Sequence, residues 1–123
     1  MKSGLKGNNM PDRRIRVVLV TCGTLAEARR IARAAVEARF AACVNVLVTA
    51  VESIYRWQGK IEVSREYLLV MKSTARRLPE LERMVRRVHT YDVPEFLVLP
   101  VVSSSREYLG WLFESVKPSR GRK

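Results

Sequence analysis

The sequence has few of the residue types and motifs that most catalytic and metal sites use. Its 123 residues contain one histidine, two cysteines and no glycine-rich phosphate loop. The cysteines, Cys22 and Cys43, each lie within an apolar segment and lack the paired spacing of a zinc knuckle. In a reducing compartment such residues are most often small buried thiols rather than a disulfide. We do not expect nucleophilic catalysis by these cysteines, because an apolar setting disfavours the thiolate that it requires.

The sequence also lacks a long apolar run. No segment approaches about 18 uninterrupted apolar residues, the length typical of a membrane span, and the N-terminus has no apolar stretch of signal-peptide length. We therefore expect a cytoplasmic protein with no membrane contact. Residues 1–14 contain Gly, Asn, Pro and charged residues without periodicity, which predicts a flexible N-terminal segment. Met10 within it is a second candidate for the native start.

Positive charge is abundant but is concentrated at the two ends of the chain. The formal net charge is +11, from 23 Lys and Arg against 12 Asp and Glu. Residues 1–16 and 117–123 carry nine of the basic residues and one acidic residue, so the body between them is nearly balanced. Basic tails bind polyanions weakly, and these lack the interleaved aromatic residues of a single-strand-binding surface. We therefore do not expect nucleic acid as a partner, and we interpret residues 117–123 as a basic tail.

The hydrophobic pattern predicts one domain over residues 15–116. Hydrophobic residues make up 47% of the chain, which is enough for one compact core. Runs of β-branched and other apolar residues predict strands, and apolar residues that recur every three to four positions predict amphipathic helices. The expected elements outside the central hairpin are strands over residues 15–21 and 96–102 and helices over residues 24–39, 78–89 and 104–116.

Single residues mark the ends of these elements. Thr24 and Glu27 have the spacing of a capping box, in which the threonine hydroxyl accepts a hydrogen bond from the glutamate amide and the carboxylate reaches back. Pro79 is acceptable only in the first turn of a helix. Pro100 has no amide hydrogen to donate, so its strand suits a sheet edge or a bulge.

Residues 44–72 predict two long strands joined by a turn at Gln58-Gly59-Lys60. Each arm has about a dozen residues, at or beyond the upper end of ordinary strands. The element order becomes β-α-β-β-α-β with a C-terminal helix, the ferredoxin-like arrangement of an α+β domain. Its first and third strands lie centrally, which fits their continuous apolar runs. Its second strand would be an exposed edge, a hazard that oligomerisation through the hairpin removes.

Three segments, in order along the chain, resemble the CutA family of divalent-cation tolerance proteins. They are Ala41-Ala-Cys-Val-Asn45, Ser53-Ile-Tyr-Arg-Trp-Gln-Gly-Lys-Ile-Glu62 and His89-Thr-Tyr-Asp-Val-Pro-Glu95. The resemblance covers about residues 15–116. It implies a ferredoxin-like homotrimer whose long hairpins extend sheets across subunit boundaries. A local departure is Gly23-Thr24, where many relatives have Pro-Asp.

The resemblance also implies a function. The CutA family is linked to bacterial tolerance of copper and other divalent metals, shares its trimeric architecture with the PII signalling proteins, and has animal relatives linked to anchoring acetylcholinesterase. No enzymatic reaction is firmly attached to it. We therefore expect a non-enzymatic protein of the metal-ion response that binds copper or other divalent cations weakly and requires no cofactor. The alternative is a PII-like trimeric small-ligand sensor, or an anchoring scaffold, without a physiological role for metal.

His89, Asp92 and Glu95 bring an imidazole and two carboxylates into one turn-like segment. Such a set could bind Cu(II) or Zn(II), with Cys22 supplying sulfur if the end of the first strand lies nearby. The resemblance supports a metal role for Cys22 only weakly, because the register of this cysteine varies among relatives. The alternative is structural: His89 bonds the last carbonyls of its helix, and Glu95 bonds nearby backbone amides.

Trp57, Tyr55 and Tyr91 form a second candidate group. In a structural role they would pack a subunit interface, where aromatic residues contribute large contact area and a polar tip. In a functional role Trp57 and Tyr91 would line a small-ligand cleft between subunits, with Glu62 and Lys72 as polar contacts on the strands. Analogy with the PII proteins favours the functional role, although a shared architecture alone does not establish a function.

Overall fold

Over residues 15–119, which the computed structural model describes, the chain forms five strands and three α-helices. The expected flexible segment with Met10, residues 1–14, and the tail beyond residue 119 lie outside the described residues. A short 3-10 turn, Ala75–Arg77, joins the longest strand to the second helix. The elements are β1 (Ile15–Cys22), α1 (Leu25–Glu37), β2 (Cys43–Val46), β3 (Val51–Trp57), β4 (Lys60–Thr74), α2 (Leu78–Val88), β5 (Leu97–Pro100) and α3 (Arg106–Ser115).

The strands form one antiparallel sheet, so the chain is a mixed α+β protein. The order is β2-β4-β1-β5, and β3 also pairs with β4. The two strands with continuous apolar runs, β1 and β4, are central and pair along the whole of β1, from Ile15 opposite Thr74 to Cys22 opposite Tyr67. Neighbouring strands pair with both edges of a central strand, and helices pack on the two sides of the sheet, which favours apolar residues on both faces. The expected division into central and edge strands is confirmed.

The first arm of the long hairpin is interrupted, and the prediction of one continuous strand was wrong. Val46 pairs with Leu69 in β2, whereas Val51 pairs with Glu66 at the start of β3. Four residues, 47–50, therefore lie opposite only two on β4, which is the geometry of a bulge. The other arm, β4, is continuous over 15 residues and serves as partner to both pieces. The bulge changes the pairing register between the sheet and the projecting hairpin.

The last strand is shorter than predicted. β5 covers Leu97–Pro100 instead of residues 96–102, and all four of its residues are exposed. It pairs with β1 on one side only, from Leu19 opposite Leu97 to Arg16 opposite Pro100. Pro100 lies at the end of an edge strand, as expected, because there its lack of an amide hydrogen breaks no hydrogen bond between interior strands.

The core lies between the sheet and helices α1 and α2. Alternate residues of the central strands point to this side of the sheet and meet apolar residues of both helices. Burying each such side chain contributes roughly 1.5–3 kcal/mol. The larger fully buried members are Val18, Val20, Ile31, Leu69, Met71, Leu81 and Val85.

The C-terminal helix α3 builds a smaller cluster on the opposite side of the sheet. Ile15 lies three positions before Val18 on the same strand and so points away from the main core, where it packs with Ala42, Leu112 and Val116. The remainder of that sheet face is left for the site described below. Among residues 15–119 no helix combines the length and apolar character needed to cross a bilayer.

Candidate functional site

A cavity of about 510 Å³ opens at the base of the hairpin, and we call it the hairpin cavity. Its walls come from the end of β1, from β3 and β4, and from the loop that follows α2. The lining residues are Thr21, Ser53, Tyr55, Trp57, Glu66, Tyr91, Asp92, Val93, Pro94 and Glu95. Its place at the junction of the sheet and the projecting hairpin follows from the bulge that precedes β3.

Aromatic rings form two sides of the hairpin cavity. Tyr55 and Trp57 lie two residues apart on β3 and so point to the same face of the hairpin. Tyr91 comes from the loop after α2, and its hydroxyl donates a hydrogen bond of 2.7 Å to Glu66 Oε2. Burial raises the pKa of Tyr91, and the bond to Glu66 raises it further. At neutral pH the phenol is therefore a hydrogen-bond donor.

A glycine makes room for this tyrosine. A Cβ atom at Gly23 would lie 3.3 Å from the Tyr91 hydroxyl oxygen, closer than most real contacts. The ring of His89 packs against that of Tyr91, with the two ring centroids 4.7 Å apart. The Tyr91 ring is thus held by contacts with Gly23 and His89 and by its bond to Glu66.

Three carboxylates also line the hairpin cavity. Glu66 is only 7% exposed, and its single hydrogen-bond donor within the described residues is the Tyr91 hydroxyl. Desolvation raises the pKa of Glu95, a hydrogen bond of 3.4 Å from the Thr21 hydroxyl opposes that shift, and the charge of Glu66 adds to it. Asp92 is the third. Within residues 15–119 no Lys, Arg or His lines the cavity, so the ionisable carboxyl groups that line it have no basic neighbour among the lining residues.

A further set of hydrogen bonds holds the loop that carries Tyr91. Glu27 is buried, and its two carboxylate oxygens accept bonds from the Thr90 amide, at 2.8 Å, and the Thr90 hydroxyl, at 3.2 Å. The predicted capping box is thus half present: the Thr24 hydroxyl accepts from the Glu27 amide at 3.1 Å, but the carboxylate bonds the loop after α2. This role of Glu27 was missed, since it depends on a contact with a residue 63 positions away.

His89 is buried and uses both ring nitrogens within the fold. Its Nε2 donates to the Thr21 carbonyl at 2.8 Å, and its Nδ1 accepts from the Tyr91 amide at 3.1 Å. These two bonds define the tautomer, because one nitrogen must carry the proton and the other must not. The imidazole therefore ties the end of β1 to the loop that lines the hairpin cavity.

The expected metal ligands do not form a ligand set in this arrangement. Cys22 is fully buried, and its pKa is raised to about 12, first by burial and then by the charges of Glu27 and Glu66. His89 would have to give up one of its two hydrogen bonds to bind a metal. Throughout the described part of the chain, no three His, Cys, Asp or Glu residues form a group that could hold a metal ion. Glu95 instead lines the hairpin cavity.

The second candidate group is partly brought together. Tyr55, Trp57 and Tyr91 all line the hairpin cavity, whereas Glu62 and Lys72 do not. Glu62 lies opposite Tyr55, nearer the hairpin tip. Lys72 lies on the sheet, where its Nζ bonds Asn45 and is 3.9 Å from Cys43 Sγ.

Sequence reasoning missed Glu66, the most buried carboxylate of the hairpin cavity. A signal was available, because Glu66 and Glu62 are four residues apart on one strand and therefore share a face. Glu66 directly precedes the apolar run of β4, where a carboxylate must be buried or face a cavity.

The model of the CutA1 divalent ion tolerance protein family matches residues 16–115, nearly all of the described chain. The chain belongs to the CutA1 family. It is 48% identical over 99 residues to the divalent-cation tolerance protein CutA of Thermus thermophilus, covering 80% of this chain and 95% of the relative. It is 43% identical over 100 residues to mouse Protein CutA, covering 81% of this chain and 56% of that relative.

Solved CutA structures agree with this assignment. The divalent cation tolerance protein of Thermus thermophilus superposes with a TM-score of 0.81 at 45% identity, over 84% of this chain and 99% of the other. Rice CutA1 superposes with a TM-score of 0.82 at 36% identity, over 86% and 96%. The family resemblance carried by the three sequence segments is confirmed.

Proposed function

We propose that this CutA1-family protein acts in divalent-cation tolerance as a non-enzymatic protein that binds copper or another divalent cation weakly. The observation that carries the proposal is the acidic lining of the hairpin cavity, to which Glu66, Asp92 and Glu95 contribute and no basic side chain of the described residues does. Carboxylates attract divalent cations. Weak affinity follows because no three-ligand group forms within residues 15–119.

The same proposal includes a ferredoxin-like homotrimer assembled through the hairpin. Ile54, Ile61 and Val63 lie on the hairpin face opposite Tyr55 and Trp57, and they are 67%, 58% and 58% exposed. Proteins seldom leave an apolar, strand-edged surface of this kind facing water. A second and a third copy of the chain would cover it. We call Ile54, Ile61 and Val63 the aliphatic hairpin face.

Equilibrium dialysis with Cu(II), on protein purified without a histidine tag, tests the metal proposal. We expect weak binding that falls in Glu95→Gln, because the neutral amide removes one negative charge from the hairpin cavity, and that stays unchanged in the matched surface variant Glu82→Gln. A loss of binding in His89→Ala as well as in Glu95→Gln would instead support the ligand set of His89, Glu95 and Cys22, formed after His89 leaves its present partners. Absence of Cu(II) binding by the wild-type protein would contradict the proposal.

A small-ligand sensor is the second candidate function, and the size of the hairpin cavity favours it. A cavity of about 510 Å³ is within the range of about 300–1,000 Å³ typical of small-molecule sites, and three aromatic residues line it. A PII-like sensor or an anchoring scaffold would use the same trimer. A thermal-shift screen of metals, nucleotides and small metabolites separates these functions, and a flat response across the panel would contradict a sensor.

A cytoplasmic location remains part of the proposal. Relatives include a protein named chloroplastic CutA from Arabidopsis thaliana and a solved CutA from Archaeoglobus fulgidus whose title calls it periplasmic. Fractionation of the native host, followed by detection of the chain, would give its compartment directly.

A further inference from the structure

The carboxylate of Glu66, which lines the hairpin cavity, has one oxygen without a hydrogen-bond donor among residues 15–119. The residue is more than nine-tenths buried, yet within residues 15–119 only its Oε2 has a hydrogen-bond donor, the Tyr91 hydroxyl. Taking a carboxylate out of water is costly unless its oxygens are bonded or its charge is paired. The unpartnered Oε1 therefore favours a ligand that brings a positive charge and an N–H donor.

The neighbouring carboxylates strengthen this requirement. The charge of Glu66 acts on Glu95, so the two groups are close enough to repel each other. Asp92 adds a third negative charge at the rim. No basic side chain of the described chain enters the cavity to balance them. A ligand with a positive charge would relieve the repulsion, whereas an anion would be rejected.

The aromatic side chains that line the hairpin cavity favour an organic cation over a bare metal ion. Tyr55, Trp57 and Tyr91 offer ring faces to a ligand with an apolar body, and ring faces attract ammonium groups by cation–π interaction. A metal ion would leave most of the roughly 510 Å³ unfilled, and it would find no group of three ligands among residues 15–119. A short alkyl chain would use both the rings and the volume.

We propose that the hairpin cavity binds a small organic ammonium ion, with the ammonium hydrogen-bonded to Glu66 and the alkyl part packed between Trp57 and Tyr91. The proposal rests on the second candidate function, a ligand sensor, and names the class of its ligand. Glu66 and Tyr91 then act together: the Tyr91 hydroxyl orients one carboxylate oxygen and leaves the other for the ligand. The loop held by Glu27 and His89 keeps Tyr91 in place.

Fluorescence titration of Trp57 tests the proposal. The Trp111→Phe variant removes the other tryptophan, which lies on α3, so that Trp57 alone reports. The probes are n-butylammonium, butanol and butyrate at constant ionic strength, three molecules of similar size that differ in charge. We expect n-butylammonium to bind at least about tenfold more tightly than butanol, the scale of one charged hydrogen bond, and butyrate not to bind.

Two matched glutamate variants locate the binding. Glu66→Gln is expected to weaken n-butylammonium binding by about tenfold or more. Glu52→Gln changes a glutamate on the opposite face of the same hairpin and is expected to leave binding unchanged. Equal affinity for n-butylammonium and butanol, or full affinity in Glu66→Gln, would overturn the proposal.

Two further arms separate other occupants of the cavity. Titration with Cu(II) alone, followed by n-butylammonium, asks whether a metal ion occupies the same position. A Glu66-dependent response to Cu(II) without any response to n-butylammonium would overturn the ammonium proposal.

The Ile54→Lys variant asks whether a neighbouring copy of the chain fills the cavity. Binding of n-butylammonium only after this variant disrupts assembly would also overturn the proposal. Light scattering on each sample shows whether the assembly is intact, so failure of the trimer is seen independently of ligand binding.

Discussion

Glu27 connects two parts of the chain that the sequence does not show to be neighbours. Its backbone amide belongs to the N-terminal cap of α1, while its carboxylate holds Thr90 in the loop that carries Tyr91. A short-range motif therefore identified the residue but gave only half of its role. The structure makes it a positioning residue for the hairpin cavity.

Replacing Glu27 with alanine tests this role. We expect Glu27→Ala to lower the free energy of unfolding by about 1–3 kcal/mol, because the amide and hydroxyl of Thr90 lose their acceptors. Glu37→Ala is the control, since Glu37 makes only an exposed pair with Arg33 and should change stability by less than about 0.5 kcal/mol. Urea unfolding at one fixed protein concentration measures both, because the proposed assembly would make stability concentration-dependent. Equal losses in the two variants would contradict the role of Glu27.

At the scale of elements, the hairpin turn depends on backbone conformation more than on contacts. Gln58 and Gly59 have φ angles of 51° and 82°, so the two central turn residues are both left-handed. A Cβ atom added at Gly59 would meet nothing within 4 Å. We expect Gly59→Ala to lower the free energy of unfolding by roughly 1 kcal/mol, entirely through the strained φ.

Gly110 provides the matched control for that substitution. It lies within helix α3, and an added Cβ would likewise meet nothing within 4 Å. Gly110→Ala should raise stability by about 0.5–1 kcal/mol, because alanine favours the helix. Thermal or urea unfolding of both variants gives the sign of each change. A stabilising effect at Gly59 would show that the turn is not left-handed.

The sequence allowed the central strands to be predicted but not the bulge in the first arm. Continuous apolar residues identify β1 and β4, since only strands covered on both faces carry them. Residues 47–50 continue the β-prone pattern of Leu, Val and Thr, and their interruption depends on the register of β3 against β4, which no local pattern contains. The aromatic residues of the site could be predicted because they lie in a recognisable sequence motif. Glu66 could not, because its place in the cavity depends on the register of β4 against β3.

The two faces of the hairpin give the whole molecule its proposed organisation. The aliphatic hairpin face is exposed, whereas the opposite face carries Tyr55 and Trp57 into the hairpin cavity. Strand alternation alone produces this division, because neighbouring residues point to opposite sides. The proposed assembly and the proposed ligand site therefore use the same hairpin through different side chains.

The mass of the protein in solution tests the role of the hairpin most directly. Size-exclusion chromatography with light scattering at micromolar concentration should give three times the subunit mass of 14.1 kDa. Ile54→Lys should reduce that mass, because a charge on the aliphatic hairpin face would have to be buried. Val36→Lys, on an exposed site of α1, should leave it unchanged. A wild-type mass equal to one subunit would contradict assembly through the hairpin.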